Sequence, residues 1–189
     1  MLRIISRILC YIVKNLASLL YGWGVIVPLS YLVPKRRDLV LFIPRAKGTF
    51  CDNVKYLYLY LQTQQRKAVK YYFFAQCKSV YNLLRKNGLP VVFHHSPLSI
   101  CVLLRANIVI ADNFEWRRHS KYWVLFWSRK VQLWHGIPLK QIALSRPSTA
   151  KRHYSPSGKV SDAIRGKHIT SDLFVSTSEF YTRNAFAKA

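Results

Sequence analysis

Acidic residues are scarce in this sequence: its 189 residues include 7 Asp and Glu against 30 Lys and Arg, a formal net charge of +23. Such a charge attracts polyanions, and nucleic acid, anionic lipid surfaces and phosphate-rich substrates all qualify. The sequence lacks an RNP motif and helix-turn-helix spacing, which argues against a nucleic-acid-binding protein. Hydrophobic residues make up 51% of the chain, which excludes a disordered basic tail and predicts a domain with a buried core.

Cysteine is also scarce, and its spacing excludes two kinds of site. The four cysteines form no C-x-x-C pair: Cys10, Cys51, Cys77 and Cys101. We therefore predict reduced thiols, with neither a zinc site nor a disulfide framework. His94 and His95 are adjacent at a predicted strand end, where neighbouring side chains point to opposite faces, so they do not predict a metal site. No metal and no cofactor are expected.

The first 37 residues lack acidic residues and form a segment of their own. Residues 1–14 predict an apolar helix with a narrow basic stripe, and 20 uncharged residues follow. That run is long enough to span a bilayer, but Gly22, Gly24 and Pro28 interrupt it. No small-x-small cleavage site of a signal peptide follows it.

We predict that residues 1–37 are membrane-associating helices. They would attach the protein peripherally or monotopically to the cytoplasmic face of the cell membrane, whose anionic lipid surface is the expected partner. The alternatives are a spanning helix and a helix pair packed on the domain core. The predicted lipid contacts are the basic residues of this segment: Arg3, Arg7, Lys14, Lys35, Arg36 and Arg37.

From residue 38 onward, strand-like apolar runs alternate with helical patterns at the spacing typical of a parallel sheet. Predicted strands cover 38–43, 68–75, 89–94, 107–112, 130–135 and 172–177. Predicted helices cover 53–66, 78–88, 96–106 and 178–189. Asp52 and Ser96 are predicted amino-terminal caps, and Gly88 a carboxyl-terminal one. Residues 38–189 are thus predicted to form one α/β domain, a Rossmann-like parallel sheet with helices on both faces.

Polar residues follow several predicted strands, at the edge where open parallel sheets bind ligands. A loop with Gly48, Asp52 and Asn53 follows the first strand, and Asp112 ends the fourth. The fifth strand ends at His135. Since the carboxyl ends of parallel strands share one edge, the sequence predicts a functional site there.

The run "KVQLWHGIPLKQI", Lys130 to Ile142, carries the strongest chemical signal. His135 is a candidate general base, because a neutral imidazole accepts a proton near neutral pH. Gly136 would allow a substrate to approach the backbone closely, and Lys140 would add a cation near a phosphate. The alternative is that His135 only terminates a strand. Asp52 likewise has two open interpretations, a helix cap or a hydroxyl-binding group.

Three stretches resemble one protein family. "VQLWHGIPLKQIAL" is similar to the Q-x-W-H-G-x-P-L-K signature of the CDP-glycerol glycerophosphotransferases, the teichoic acid primases and polymerases. "GTFCDNVKYLYLYL" resembles that family's early loop and helix. "DLFVSTSEFYTRNAFAKA" resembles a segment in which a strand ends at serines before a helix. The three occur in the family's order within residues 38–189.

The resemblance implies a fold of the GT-B type, of which this chain is the amino-terminal, acceptor-side half, truncated before the donor domain. It implies transfer of glycerol phosphate from the substrate CDP-glycerol to a polyprenyl-linked glycerol-phosphate acceptor, with release of CMP and without a required metal. His135 would be the catalytic base. The predicted substrate-binding residues are Gly48, Asp52, Asn53, Trp134, Gly136 and Lys140.

The chain stops at Ala189, where family members continue through a donor domain. Three interpretations stay open: a fragment, a truncated gene product, or one half of a split enzyme whose donor domain is a separate chain. The alternative function is a non-catalytic module that holds anionic polymers or lipids at the membrane surface through its charge.

Overall fold

A parallel sheet of six strands forms the centre of the protein. The computed structural model describes residues 16–17, 20–45, 48–64, 68–94, 96–114, 121–136, 156, 171–176 and 178–186. The strands are β1 Arg36–Ile43, β2 Lys70–Ala75, β3 Val91–Phe93, β4 Ala106–Ala111, β5 Arg129–Gln132 and β6 Leu173–Phe174. Their order is β3-β2-β1-β4-β5-β6, and every pairing is parallel. This confirms the predicted Rossmann-like α/β class, with the order reversing between β1 and β4.

Both faces of β1 are buried, which explains its continuous apolar run. Leu39, Leu41 and Ile43 point into one core cluster, and Val40 and Phe42 into the other. Successive side chains alternate between the faces of a strand, so an unbroken run of apolar residues fits a sheet that is covered on both sides.

Helices cover both faces of the sheet, as predicted. The described helices are α1 Val27–Leu32, α2 Asp52–Thr63, α3 Lys78–Lys86, α4 Pro97–Arg105, α5 Lys121–Val124 and α6 Glu179–Tyr181. Helices α2 and α3 contribute Val54, Tyr58 and Leu84 to the cluster around Phe42. Helices α4 and α5 pack against the opposite cluster. Short π-helical turns precede α1 at Gly22–Ile26 and follow α6 at Thr182–Phe186.

Two of the three predicted helix caps are confirmed. The Ser96 hydroxyl accepts a hydrogen bond from the Ser99 backbone at 3.3 Å, with Pro97 opening α4. Gly88 has φ +69° just beyond α3 and donates to the Arg85 carbonyl at 3.0 Å. The cap predicted for Asp52 is wrong: α2 begins at Asp52 itself, and Cys51 precedes it without a side-chain cap.

Strand β5 is shorter than predicted, because the chain leaves the extended conformation at Trp134. The Leu133 backbone still donates to the Ala111 carbonyl at 2.8 Å, but Trp134 has φ +59°. That left-handed conformation cannot continue a strand. Strand β6 is also shorter than the predicted 172–177, covering Leu173–Phe174.

The apolar segment before β1 packs against α5 and the turn that follows it. Gly22 is buried against the indole of Trp123, while Trp23 contacts Phe126 edge-on at 5.6 Å. Tyr31 contacts a further aromatic residue of that turn. Packing on the core, one of the alternatives left open by the sequence, therefore describes residues 22–32. No helix within the described residues is long and apolar enough to cross a membrane.

The structure gives Lys35 a different contact from the one predicted. Its ammonium group donates to the Leu104 carbonyl at 2.7 Å and to the Ser128 hydroxyl at 3.3 Å. Burial, and to a lesser degree the charge of Lys130, lowers the pKa of Lys35 to about 8. Lys35 therefore anchors the start of β1 to the domain interior and does not face outward.

Of the other five basic residues predicted to contact lipid, the structure describes two. Arg36 forms an ion pair with Asp38 at 2.6 Å, and Arg37 is exposed. Arg3, Arg7 and Lys14 lie outside the described residues. Their predicted contacts with lipid stay predictions.

Gly22 offers a test of how tightly the segment packs. A Cβ atom at Gly22 would overlap the Trp123 indole, whereas a Cβ at Gly24 would meet nothing within 4 Å. We expect Gly22→Ala to lower the free energy of unfolding by about 1–3 kcal/mol through overpacking. Gly24→Ala should be neutral or raise it by up to about 1 kcal/mol, because alanine favours helix. Urea unfolding of both variants measures this, and equal effects would contradict the contact.

Candidate active site

The carboxyl ends of β1, β4 and β5 bring the predicted site residues together. Asn53, in the first turn of α2, donates from Nδ2 to the Trp134 carbonyl at 2.9 Å. His135 lies beyond β5, with Nδ1 2.8 Å from the Asp112 carbonyl oxygen at the end of β4. The site therefore lies at the point where the strand order reverses, which is where open α/β sheets bind ligands.

The imidazole of His135 is held on two sides. Because the Asp112 carbonyl can only accept a hydrogen bond, Nδ1 of His135 carries the proton in this contact. Nε2 is then the nitrogen with a free electron pair and can accept a proton. The Trp134 ring stacks on the imidazole with centroids 4.6 Å apart and planes 27° apart. Such fixed orientation and tautomer suit a general base.

Trp134 adopts a strained backbone conformation at this position. Its φ of +59° is unusual for a bulky residue and costs of the order of 1–3 kcal/mol. Its ring also packs against Phe174 at 5.9 Å and Phe186 at 5.5 Å, in addition to His135. The sequence predicted that Trp134 binds substrate, and these contacts give it an aromatic packing role as well.

Asp52 is the second non-glycine residue with a positive φ among the described residues, at +58°. Its carboxylate lies 3.4 Å from the Arg45 guanidinium and 3.5 Å from the Cys51 thiol. Both strained residues, Asp52 and Trp134, thus lie where the β1 and β5 loops meet. Strained backbone is common at functional sites, where the surrounding structure must hold it in place.

The two glycines predicted to bind substrate have different surroundings. Gly48 has φ +69°, and a Cβ there would lie 2.5 Å from the Cβ of Gln76, so packing alone requires glycine. Gly136 has φ +126° and is exposed, with nothing within 4 Å of its Cβ position. Gly136 therefore leaves open space beside His135. Lys140, predicted to add a cation, lies outside the described residues.

Asp112 lies at the edge where the sequence predicts a functional site, although it is not among the predicted catalytic or substrate-binding residues. Its side chain is 0% exposed, and neither carboxylate oxygen has a hydrogen-bond partner among the described residues. Burial raises the pKa of Asp112 to about 6, and the Asp52 charge contributes to the increase while His135 opposes it. Its position directly after β4, on the same edge as His135, is the sequence signal that places it there; its burial is visible only in the structure.

Gln132 is the second buried polar residue that the sequence interpretation did not single out. It lies in β5, is 0% exposed, and neither atom of its amide has a partner within the described part of the chain. It opens the Q-x-W-H-G stretch, so the motif itself was the available signal.

The remaining histidine of the sheet edge is separate from this site. His94 follows β3, and β2 separates β3 from β1 in the sheet. His95 lies outside the described residues. Across the part of the chain that the structure describes, no three His, Cys, Asp or Glu side chains form a group that could hold a metal ion.

The strand order and the histidine at the switch point define a Rossmann-like α/β domain with a candidate base at its ligand-binding edge. Residues 25–189 match the family model for CDP-Glycerol:Poly(glycerophosphate) glycerophosphotransferase. Since this match covers most of the chain, the protein belongs to that family. Comparison with curated proteins finds no match.

Solved structures of the wall teichoic acid polymerase TagF share the fold. A histidine-to-asparagine variant with CDPG gives a TM-score of 0.59 at 16% identity, covering 94% of this chain and 44% of TagF. A histidine-to-alanine variant of TagF gives 0.54, with the same identity and coverage. The chain thus spans less than half the length of the TagF chains that it matches.

The buried carboxyl of Asp112 predicts a pH-dependent stability. Its folded-state pKa of about 6 lies above the ordinary 3.8, so the folded protein binds the proton more tightly than the unfolded one. The free energy of unfolding should therefore fall as the pH rises through this interval. Asp112→Asn removes the buried charge and should raise that free energy by about 3 kcal/mol at pH 7, with little effect below about pH 4.

Urea unfolding at pH 7 and below about pH 4 measures the effect of Asp112→Asn. Asp38→Asn is the control of opposite sign, because the Arg36 guanidinium lowers the pKa of Asp38. Its ion pair contributes at neutral pH and is lost as the carboxyl is protonated in acid. Destabilisation by Asp112→Asn at pH 7 would show that the ionised carboxylate has a stabilising partner, contrary to this prediction.

Proposed function

We propose that residues 38–189 form the acceptor-side half of a GT-B-type enzyme that transfers glycerol phosphate from CDP-glycerol to a membrane-linked acceptor. The observation that carries this proposal is the His135 imidazole, with Nδ1 engaged by the Asp112 carbonyl at the switch point of the sheet. The family match over residues 25–189 supports the reaction class. The product would extend a teichoic acid or a related surface polymer.

The proposed chemistry is a displacement at phosphorus. Nε2 of His135 takes the proton from an acceptor hydroxyl, and that oxygen attacks the phosphate of CDP-glycerol next to its glycerol. The new O–P bond forms while the bond from that phosphate to the bridging oxygen of CMP breaks, and CMP leaves with the electron pair. Gly136 gives the acceptor room beside the base, and the predicted cation Lys140 would stabilise charge on the phosphate.

The donor site is assigned to a second domain outside this chain's described fold. The matched TagF structures are more than twice as long as the segment they share with this chain, and one of them was solved with CDPG. The acceptor is a polyprenyl-linked glycerol phosphate, and no resident cofactor is proposed.

The first test is CMP release from CDP-glycerol, with a membrane acceptor and with a separately produced donor domain of the family. We expect release that falls about 10²–10⁴-fold in His135→Ala, because general-base catalysis contributes that range. His94→Ala is the matched control and should retain activity, since His94 follows β3 and lies away from the site.

Two results would change the proposal in different ways. Release by residues 1–189 alone would contradict the assignment of the donor site to a second domain. No release even with the donor domain would contradict the transferase proposal and favour the non-catalytic, anionic-polymer-binding module.

We infer, as part of the same proposal, that the protein is attached to the cytoplasmic face of the cell membrane through the segment before β1. The outer side of that segment is apolar and exposed: Leu20 is 67% exposed, Tyr31 71% and Leu32 75%. Exposed apolar side chains can insert into a lipid surface, and basic residues of the segment such as Arg3 and Arg37 would be attracted to anionic headgroups.

Binding to vesicles of mixed neutral and anionic lipid tests the attachment. Replacing Leu20 and Leu32 by serine should weaken binding about 10- to 150-fold per leucine, because each buried leucine contributes about 1.5–3 kcal/mol. Leu83→Ser is the matched control: Leu83 is 52% exposed on α3, which covers the opposite face of the sheet. Equal losses for both sets, or none for either, would contradict attachment through this segment.

A further inference from the structure

The carbonyl of the peptide between Trp134 and His135 accepts a long-range hydrogen bond. Trp134 has φ +59°, a conformation that a tryptophan does not adopt without support from its surroundings. The position of the Trp134 carbonyl and that of the following His135 ring are set by the same backbone torsions. Whatever holds the carbonyl therefore also orients the imidazole.

Asn53 supplies that support. Its Nδ2 donates to the Trp134 carbonyl at 2.9 Å across 81 residues of sequence. Asn53 is the second residue of α2, whose Val54 and Tyr58 are both 0% exposed in the core, so the donor stands on a rigid element. An asparagine amide can donate this bond, whereas an aspartate carboxylate can only accept.

The consequence for His135 follows from its two other contacts. With the peptide held, Nδ1 of His135 lies 2.8 Å from the Asp112 carbonyl, and the ring stacks on Trp134 at 4.6 Å. A rotated peptide would move the imidazole away from the Asp112 oxygen. The imidazole would then lose the contact that keeps its proton on Nδ1 and its electron pair on Nε2.

We propose that Asn53 is a positioning residue, whose amide fixes the left-handed Trp134 and thereby the orientation and tautomer of His135. The role of His135 as a base rests on the proposed function, but the structural coupling of Asn53 to His135 does not. The family resemblance predicts instead that Asn53 binds substrate. Positioning His135 and binding substrate have different measurable consequences when Asn53 is replaced.

Nitrogen-15 NMR of the histidine side chains in the full chain tests the coupling, at about pH 8.5, where an ordinary imidazole is neutral. In the wild-type protein we expect His135 to give one protonated Nδ1 signal and one unprotonated Nε2 signal. In Asn53→Asp and in the uncharged Asn53→Ala, the two signals should shift toward each other as the tautomers mix. His135→Gln assigns the signals.

Asn87→Asp is the matched control. Asn87 donates the same kind of bond, from Nδ2 to the Leu83 carbonyl at 2.8 Å, beyond α3. This variant should leave the His135 signals unchanged. An unchanged His135 in folded Asn53→Asp or Asn53→Ala would overturn the proposal. If Asn53→Asp does not fold, Asn53→Ala alone decides.

Titration with sn-glycerol 3-phosphate separates the two roles of Asn53. A positioning residue predicts that Asn53→Ala mixes the tautomers but binds the ligand with the wild-type Kd. Lost affinity with an unchanged tautomer would make Asn53 a substrate-binding residue instead. If the wild-type chain binds no glycerol phosphate, the acceptor assignment fails, while the tautomer measurement still decides the role of Asn53.

Discussion

The parallel pairing of β1 with β4 is the constraint on which the site depends. Four consecutive pairs, from Val40 with Ile108 to Ile43 with Ala111, bring the two strands to their carboxyl ends together. From this centre the chain extends to β2 and β3 on one side and to β5 and β6 on the other. Because the loops after β1 and β4 lead to opposite sides, a crevice opens between them, and His135 reaches it from β5.

Strained backbone and a buried carboxyl occur together at this crevice, in an otherwise regular fold. Two positive-φ residues, Asp52 and Trp134, follow β1 and β5, and the buried carboxyl of Asp112 follows β4 between them. Elsewhere the sheet is covered by apolar side chains on both faces, and that burial provides the stability that such features cost. Asp112 lies beside the candidate base His135, so its charge can influence the imidazole.

The segment before β1 combines two kinds of surface. Its inner side packs on the core through Gly22 and the buried Ser30, and Lys35 ties its end to the carbonyl of Leu104. Its outer side leaves large apolar residues exposed, Leu32 among them. Because the inner side is packed on the domain, a surface that binds the outer side would hold the whole domain in a fixed orientation.

The sequence by itself determined the local features: the alternation of strands and helices, the cap at Ser96 and the glycine turn at Gly88. Each of these depends on a few neighbouring residues, so a pattern of apolar positions or one cap residue suffices to predict it. The sequence also placed His135 at the edge of the sheet. Only the tertiary structure decided the strand order, the inward turn of Lys35, the burial of Asp112 and the bond from Asn53 to Trp134. Those depend on contacts between residues far apart in the chain. Trp134, for example, leaves its predicted strand with φ +59°, a conformation that local preference disfavours, and its carbonyl accepts a hydrogen bond from Asn53, 81 residues away.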